Sequence, residues 1–178
     1  SELGSWFKSG AFVYLLFSFV LCAVMAAVVP FMHRMGQPGE VVKLAIPYYL
    51  IQVSSLVPML VFFSFKQFFE GIGNTRVAMW VVLVSNLVNI GLNYILIYGK
   101  LGFPAFGLNG AGYATLISRI IMPVIFILIV YRKKNYIRHF TAAIHASVDR
   151  QKIRRILSVG LPIGGQMVIE VLSFSLGA

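Results

Sequence analysis

What this 178-residue chain lacks narrows its class before any motif is read. Its one cysteine, Cys22, lies inside an apolar run, so no disulfide framework or thiolate metal site can be built from the chain. The three histidines, His33, His139 and His145, fall in loops without metal-ligand spacing. Acidic residues number only five against fifteen lysines and arginines, and charged residues together make up 11% of the chain. No GxSxG, HExxH or phosphate-loop signature is present, which removes the usual machinery of hydrolases, metalloenzymes and ATP-driven pumps. GIGNTR at 71–76 has two glycines near a threonine and an arginine but no following lysine, and it reads as a tight turn. The first apolar run is too long for a signal peptide and has no small-residue cleavage site after it. A chain that opens on Ser1 and stops at Ala178, at or near the end of an apolar segment, reads as a stretch of a longer polypeptide.

What is present is hydrocarbon. Hydrophobic residues make up 59% of the chain and the mean hydropathy is +0.87. The apolar residues come in long runs separated by short charged loops, a pattern that no soluble fold of this size would bury. Windows at 10–32, 44–65, 77–99, 110–131 and 156–178 each approach the roughly 20 residues that a bilayer core requires. Backbone amides in lipid must be satisfied within their own segment, so the windows predict five helices. The expected class is an all-α, multi-pass integral membrane protein. Eight of the fifteen basic residues lie in the loop 132–155: Arg132, Lys133, Lys134, Arg138, Arg150, Lys152, Arg154 and Arg155. The excess marks that loop as cytoplasmic, and alternation then places Lys8, Lys66 and Arg76 inside and Arg34, Lys43 and Lys100 outside. The net charge of +10 therefore points to topology and anionic lipid, with no nucleic-acid partner expected.

Against this background the polar residues within the spans stand out. Glu170 is the one acidic residue well inside a window. Eleven Leu, Ile, Val and Phe residues between Ile156 and Leu176 favour insertion by roughly 3 to 7 kcal/mol, against a cost of roughly 3 for a central carboxylate, so the helix inserts. Gln166, Glu170, Ser173 and Gly177 follow i, i+4, i+7 and i+11 and share one face, which should line a cavity or a helix interface. Asn86, Asn89 and Asn93 repeat the pattern in the third window, and Tyr48, Gln52, Ser55 and Met59 in the second; each stripe suits interhelical hydrogen bonding and cavity lining alike. In the fourth window Gly107, Ala111, Thr115 and Ser118 are spaced for close helix packing. Arg119 is too deep to be a flank; snorkelling, an anionic lipid or a carboxylate from elsewhere in a longer chain are its open partners. Pro47, Pro58 and Pro123 are positioned to bend their helices.

FFEGIGNTRVAM (68–79), NLVNIGLNYILIYG (86–99), GFPAFGLNGAGYAT (102–115) and GLPIGGQMVIE (160–170), in that order, resemble multidrug and toxic compound extrusion transporters over about residues 10–178. The resemblance implies a fragment of a twelve-helix, two-lobe fold. Residues 1–131 would be helices three to six of the first lobe, 132–155 the inter-lobe loop, and 156–178 helix seven, which opens the second lobe. It also implies that Glu170, eight residues beyond Pro162, corresponds to the family's helix-seven glutamate, which takes part in cation coupling or in binding cationic substrate. Asn89 and Asn93 match a fifth-helix polar pair. Some members carry an aspartate where Asn93 stands, and an asparagine cannot release a proton.

The expected function is secondary active efflux of amphipathic, often cationic compounds in exchange for Na⁺ or H⁺, by alternating access, with no enzymatic activity and no cofactor. Glu170 and Gln166 would serve cation coupling and substrate, with Na⁺ possible near Glu170. Tyr48, Gln52, Asn86, Asn89, Asn93 and Thr115 would line the first-lobe cavity. The expected setting is a monomer among membrane lipids in a bacterial inner membrane. The alternatives are a lipid-linked oligosaccharide flippase of the same superfamily and a membrane-embedded transferase.

Overall fold

The computed structural model describes residues 2–34, 38–133, 136–137, 140–141, 145 and 148–176. Lys134, Arg138, His139 and Gly177, named above, lie outside the described residues, as does the side chain of His33. The described chain is built of helices: α1 (Glu2–Val28), α2 (Gly39–Ser54), α3 (Leu56–Gly71), α4 (Thr75–Tyr98), α5 (Leu108–Arg132) and α6 (Arg150–Leu176). Four stretches are long and apolar enough to cross a membrane: Gly4–Met32, Gly39–Gly71, Thr75–Tyr98 and Leu108–Arg132. The fifth predicted window falls on α6, which is 27 residues long. The protein is therefore an integral, multi-pass membrane protein.

Two prolines shape these spans. After Val28 the first span tightens into a 3₁₀ turn, Val29–Arg34, around Pro30. In the second span the expected single helix is divided. Pro58 has no N–H for the carbonyl of Ser54 four residues earlier, and its ring crowds that oxygen. The bond lost is the one to the Ser54 carbonyl; Ser55, at the boundary of α2 and α3 with φ −74°, ψ −9°, still donates to the Ile51 carbonyl at 3.1 Å and accepts from the Met59 N–H at 3.3 Å. Pro123 lies within α5 and does not interrupt it.

The α4–α5 hairpin forms the most extensive interface, α3 packs on α1 and α5, α2 packs on α5, and α6 touches α1 alone among the described elements. At the basic-loop end an aromatic core gathers Phe62, Phe65, Phe68 and Phe69 of α3 against Phe126 of α5. Phe69 and Phe126 stack with centroids 5.0 Å apart. Along the rest of the spans the usual order is inverted. Leu87 is 70% exposed and Leu16 57%, while Ser55 and Ser85 are fully buried. Lipid tails solvate leucine as well as a protein interior does, so close approach through small residues carries the packing. Ser85 Oγ of α4 donates to the Ser118 carbonyl of α5 at 2.9 Å.

The small-residue seam of α5 is displaced from the expected one. Gly107 precedes the helix at φ +54°, while Ala111 and Thr115 are only half-buried. The residues packed inward are Gly110, Ala114 and Ser118, at i, i+4 and i+8. Only Ser118 belongs to both sets.

The segment that follows α5 is pinned to this core. Tyr136 stands edge-on to Phe69 at 5.1 Å, and Asn74 Nδ2 donates to Tyr136 Oη at 2.5 Å. Tyr136→Phe removes that acceptor and leaves the amide of Asn74 unpaired, so it is expected to cost about 1 kcal/mol. Thermal unfolding in detergent should show a drop of a few degrees; an unchanged midpoint would show that the bond contributes nothing.

Candidate functional site in the membrane interior

The break in the second span builds the best-defined polar cluster. Ser55 Oγ donates to the Gln52 carbonyl at 2.6 Å, and its N–H reaches the carbonyls of Ile51 and Gln52, both at 3.1 Å. The same hydroxyl accepts a hydrogen bond from Arg119 Nη1 of α5. One turn earlier, Gln52 Nε2 donates to Tyr48 Oη at 3.0 Å. Three of the four residues in the second-span stripe, Tyr48, Gln52 and Ser55, thus join Arg119 in one network across the α2–α5 interface.

Gly112 sets the spacing of that interface. A Cβ at this position would stand 3.2 Å from Tyr48 Cδ2 and 3.2 Å from Ile51 Cγ2. Gly112, Thr115 and Arg119 are spaced i, i+3 and i+7 and so share the face turned to α2. Thr115 Oγ1 donates back to the Ala111 carbonyl at 3.0 Å, which ties its proton to its own helix.

The asparagines form a separate group. Asn93 Nδ2 donates to Asn89 Oδ1 at 2.9 Å, and Asn86 is exposed. Helices α2 and α4 both pack on α5 and not on each other, so Asn86, Asn89 and Asn93 are not joined to Tyr48 and Gln52 among the described residues.

Gln166 and Glu170 stand exposed on the expected face of α6, as does Ser173, whose hydroxyl returns to the Ile169 carbonyl at 2.7 Å. This helix is held only near its start: the Asp149 N–H donates to Ser9 Oγ at 3.1 Å, and Lys152 Nζ lies 5.4 Å from the centre of the Trp6 ring. Glu170 is therefore apart from the Tyr48–Arg119 network. The cavity or helix interface expected along the polar stripe of α6 is not formed by the described elements.

Sequence reasoning missed two features. One is the meeting of Arg119 with Ser55; the signal was Pro58, whose missing N–H opens the helix at that level. The other is a groove of about 720 Å³ between α1, α3 and α6, in which Gln67 Nε2 donates to Tyr14 Oη at 2.5 Å. Tyr14 was visible as a polar interruption of the first apolar window, while Gln67 falls two residues beyond the second. No group of three or more His, Cys, Asp or Glu side chains that could hold a metal occurs among the described residues.

Comparison with known proteins places this arrangement. A family model described as MatE matches residues 1–95. The chain is 31% identical over 172 residues to a probable multidrug resistance protein NorM of Halalkalibacterium halodurans, covering 95% of this chain and 37% of that protein. It is 33% identical over 178 residues to the probable NorM of Oceanobacillus iheyensis, covering 94% of this chain and 38% of that one. The chain thus spans well under half the length of these relatives. Among solved structures, a crystal structure of MATE in the bent conformation superposes with a TM-score of 0.75 at 24% identity, over 97% of this chain and 42% of the other. An inward-facing multidrug resistance MATE family transporter of the MOP superfamily follows with a TM-score of 0.64, also at 24% identity, over 90% of this chain and 41% of the other. The structural likeness shows the same helical fold.

Proposed function

Because this chain belongs to the MatE family, whose members are transporters and not enzymes, we propose that the full-length protein exports amphipathic, often cationic solutes in exchange for Na⁺ or H⁺. Residues 1–131 belong to the first lobe, 132–155 link the lobes, and α6 opens the second. The protein works as a monomer in the plasma membrane, among lipids, and needs no cofactor beyond its coupling ion.

The observation that carries this reading is the placement of Glu170. It lies fourteen residues beyond Ile156, about 21 Å past the start of the apolar stretch of α6, on a face that no described first-lobe element covers. A carboxylate at that depth is costly unless a cation accompanies it, so ion or proton and solute cation compete for one position. Competition at one site, presented alternately to the two sides by rocking lobes, is sufficient for exchange. Gln166, one turn earlier, supplies an amide oxygen that can share the cation. Asn89 and Asn93, already bonded to each other, line the first-lobe side with Asn86, Tyr48, Gln52 and Thr115.

The test is reconstitution of the full-length protein in vesicles with a fluorescent lipophilic cation, under a Na⁺ gradient and a H⁺ gradient applied separately. One of the two gradients should drive dye movement against its own concentration. If neither moves dye, the antiport reading is wrong.

A further inference from the structure

The exchange mechanism makes no use of the groove of about 720 Å³ between α1, α3 and α6. Its floor is α1 from Trp6 to Phe17, and its walls are the last two turns of α3 and the stretch of α6 from Arg155 to Leu161. Among the described elements α3 packs on α1, α6 packs on α1, and the two do not touch each other, so a gap is left between them. Nothing lies within 4 Å of a Cβ built at Gly10 or Gly160, on facing sides of that gap.

The groove has the reach of one leaflet. Trp6 and Phe17 are eleven residues apart, about 17 Å along the helix, against about 15 Å for half of a roughly 30 Å hydrocarbon core. It lies at the basic-loop end, where α3 stops at Gly71 and α6 starts at Arg150.

Its mouth is positive. Four of the first six residues of α6 are basic, Arg150, Lys152, Arg154 and Arg155, against the one acidic residue, Asp149, that precedes them. Arg155 lines the groove and is exposed. Lys152 Nζ lies 5.4 Å from the centre of the Trp6 ring, which holds it at the same mouth. Glu70, at the end of α3, is already paired with Lys66 at 3.6 Å. A mouth of this sign repels a cationic solute and attracts a phosphate.

One turn below the mouth the groove offers a single directed proton. Gln67 Nε2 donates to Tyr14 Oη, so the phenol oxygen is engaged as an acceptor and its own O–H is left to donate. Gln67 is four residues before Gly71, about 6 Å inside the end of α3. That is the level at which the ester carbonyls of a glycerophospholipid hang beneath its phosphate. Farther in, Val13, Phe17 and Leu161 present hydrocarbon.

We propose that this groove is a binding site for an anionic phospholipid of the leaflet on the basic side. Arg155 and Lys152 hold its phosphate, Tyr14 donates to an ester carbonyl, and one acyl chain lies along α1 between α3 and α6. The lipid thereby ties α6 to α3, which α6 does not otherwise reach.

The experiment titrates the full-length protein in detergent with phosphatidylglycerol or phosphatidylcholine carrying identical acyl chains, and counts bound lipid by native mass spectrometry. Phosphatidylglycerol should bind at least about tenfold more tightly. Lys152→Gln together with Arg155→Gln should erase most of that preference. Arg132→Gln together with Lys133→Gln removes the same charge at the end of α5, outside the groove, and should preserve it. Equal losses in the two double variants would show diffuse attraction to a basic surface and overturn the site. Gly160→Leu fills the gap without changing any charge and should weaken both lipids about tenfold, as one acyl chain is displaced. Gly10→Leu repeats that test from α1 should Gly160→Leu not fold. Unchanged lipid binding in the filled variant overturns the proposal, because the groove then holds no acyl chain in the complete protein. If the basic variants do not reach the membrane, the wild type decides the headgroup: equal binding of the two lipids overturns the phosphate site.

Discussion

Glu170→Gln in the full-length protein is expected to reduce coupled efflux at least about a hundredfold, equivalent to about 3 kcal/mol of lost cation binding, while the protein still inserts. Insertion survives because the change replaces an ionisable group by a neutral one of nearly the same shape on a helix already apolar enough to enter the bilayer. It also breaks no contact with the other described helices, since Glu170 is exposed and α6 is held to α1 through Asp149 and Lys152. What the amide cannot do is carry a charge that alternates between a coupling cation and a solute cation. Glu170→Asp keeps the charge and withdraws it by one methylene, so it should retain part of the activity. The measurement is drug resistance in cells lacking their own exporters, with membrane abundance checked by immunoblot. Full resistance in cells carrying Glu170→Gln would remove the carboxylate from the mechanism.

Much of the fold was legible because hydrocarbon imposes a length rule. The windows at 77–99 and 110–131 fall within a residue or two of the limits of α4 and α5, because Gly99 in a left-handed conformation and the turn at Gly107 stop both the apolar run and the hydrogen-bond ladder together. Boundaries diverged where the two criteria separate. Helix α1 begins at Glu2 and α6 at Arg150, six to eight residues ahead of their windows, because a helix ladder continues past the point where the chain becomes polar. The division at Ser55 required one further step: Pro58 was recognised as a bend, but its consequence is a freed carbonyl at Ser54 beside the helix boundary at Ser55, whose hydroxyl accepts from Arg119.

The relative rotation of helices was beyond a reading of single segments. The seam of α5 runs through 110, 114 and 118 because the helix starts after Gly107, and its phase relative to α4 is set by a backbone contact invisible in composition. For the same reason the polar stripes of α2 and α4 could be listed but not connected. The face of α6 bearing Gln166 and Glu170 was legible from spacing, and no described element covers it.

That backbone contact supports the second large effect, at Gly110. A Cβ there would stand 2.5 Å from the Leu96 carbonyl oxygen and 2.7 Å from its carbon, both main-chain atoms that cannot rotate aside. The same oxygen accepts the Phe106 N–H at 3.0 Å, so any shift of Leu96 also disturbs the loop that joins α4 to α5. Helix propensity alone makes Gly110→Ala favourable by about 1 kcal/mol. The steric term opposes it, since forcing a methyl into a filled interface costs about 1 to 3 kcal/mol and more where backbone must move. The contact is with backbone in the most extensive interface of the fold, so the steric term should win by about 2 kcal/mol, with a lower thermal midpoint and reduced folded yield in detergent. Gly91 provides the control on the facing helix: nothing lies within 4 Å of a Cβ there, so Gly91→Ala should raise the midpoint by the propensity term of about 0.4 to 1 kcal/mol. Opposite signs for one chemical change on two paired helices would show that approach distance, rather than helix propensity, governs this hairpin. A stabilising Gly110→Ala would refute the close packing of α4 on α5.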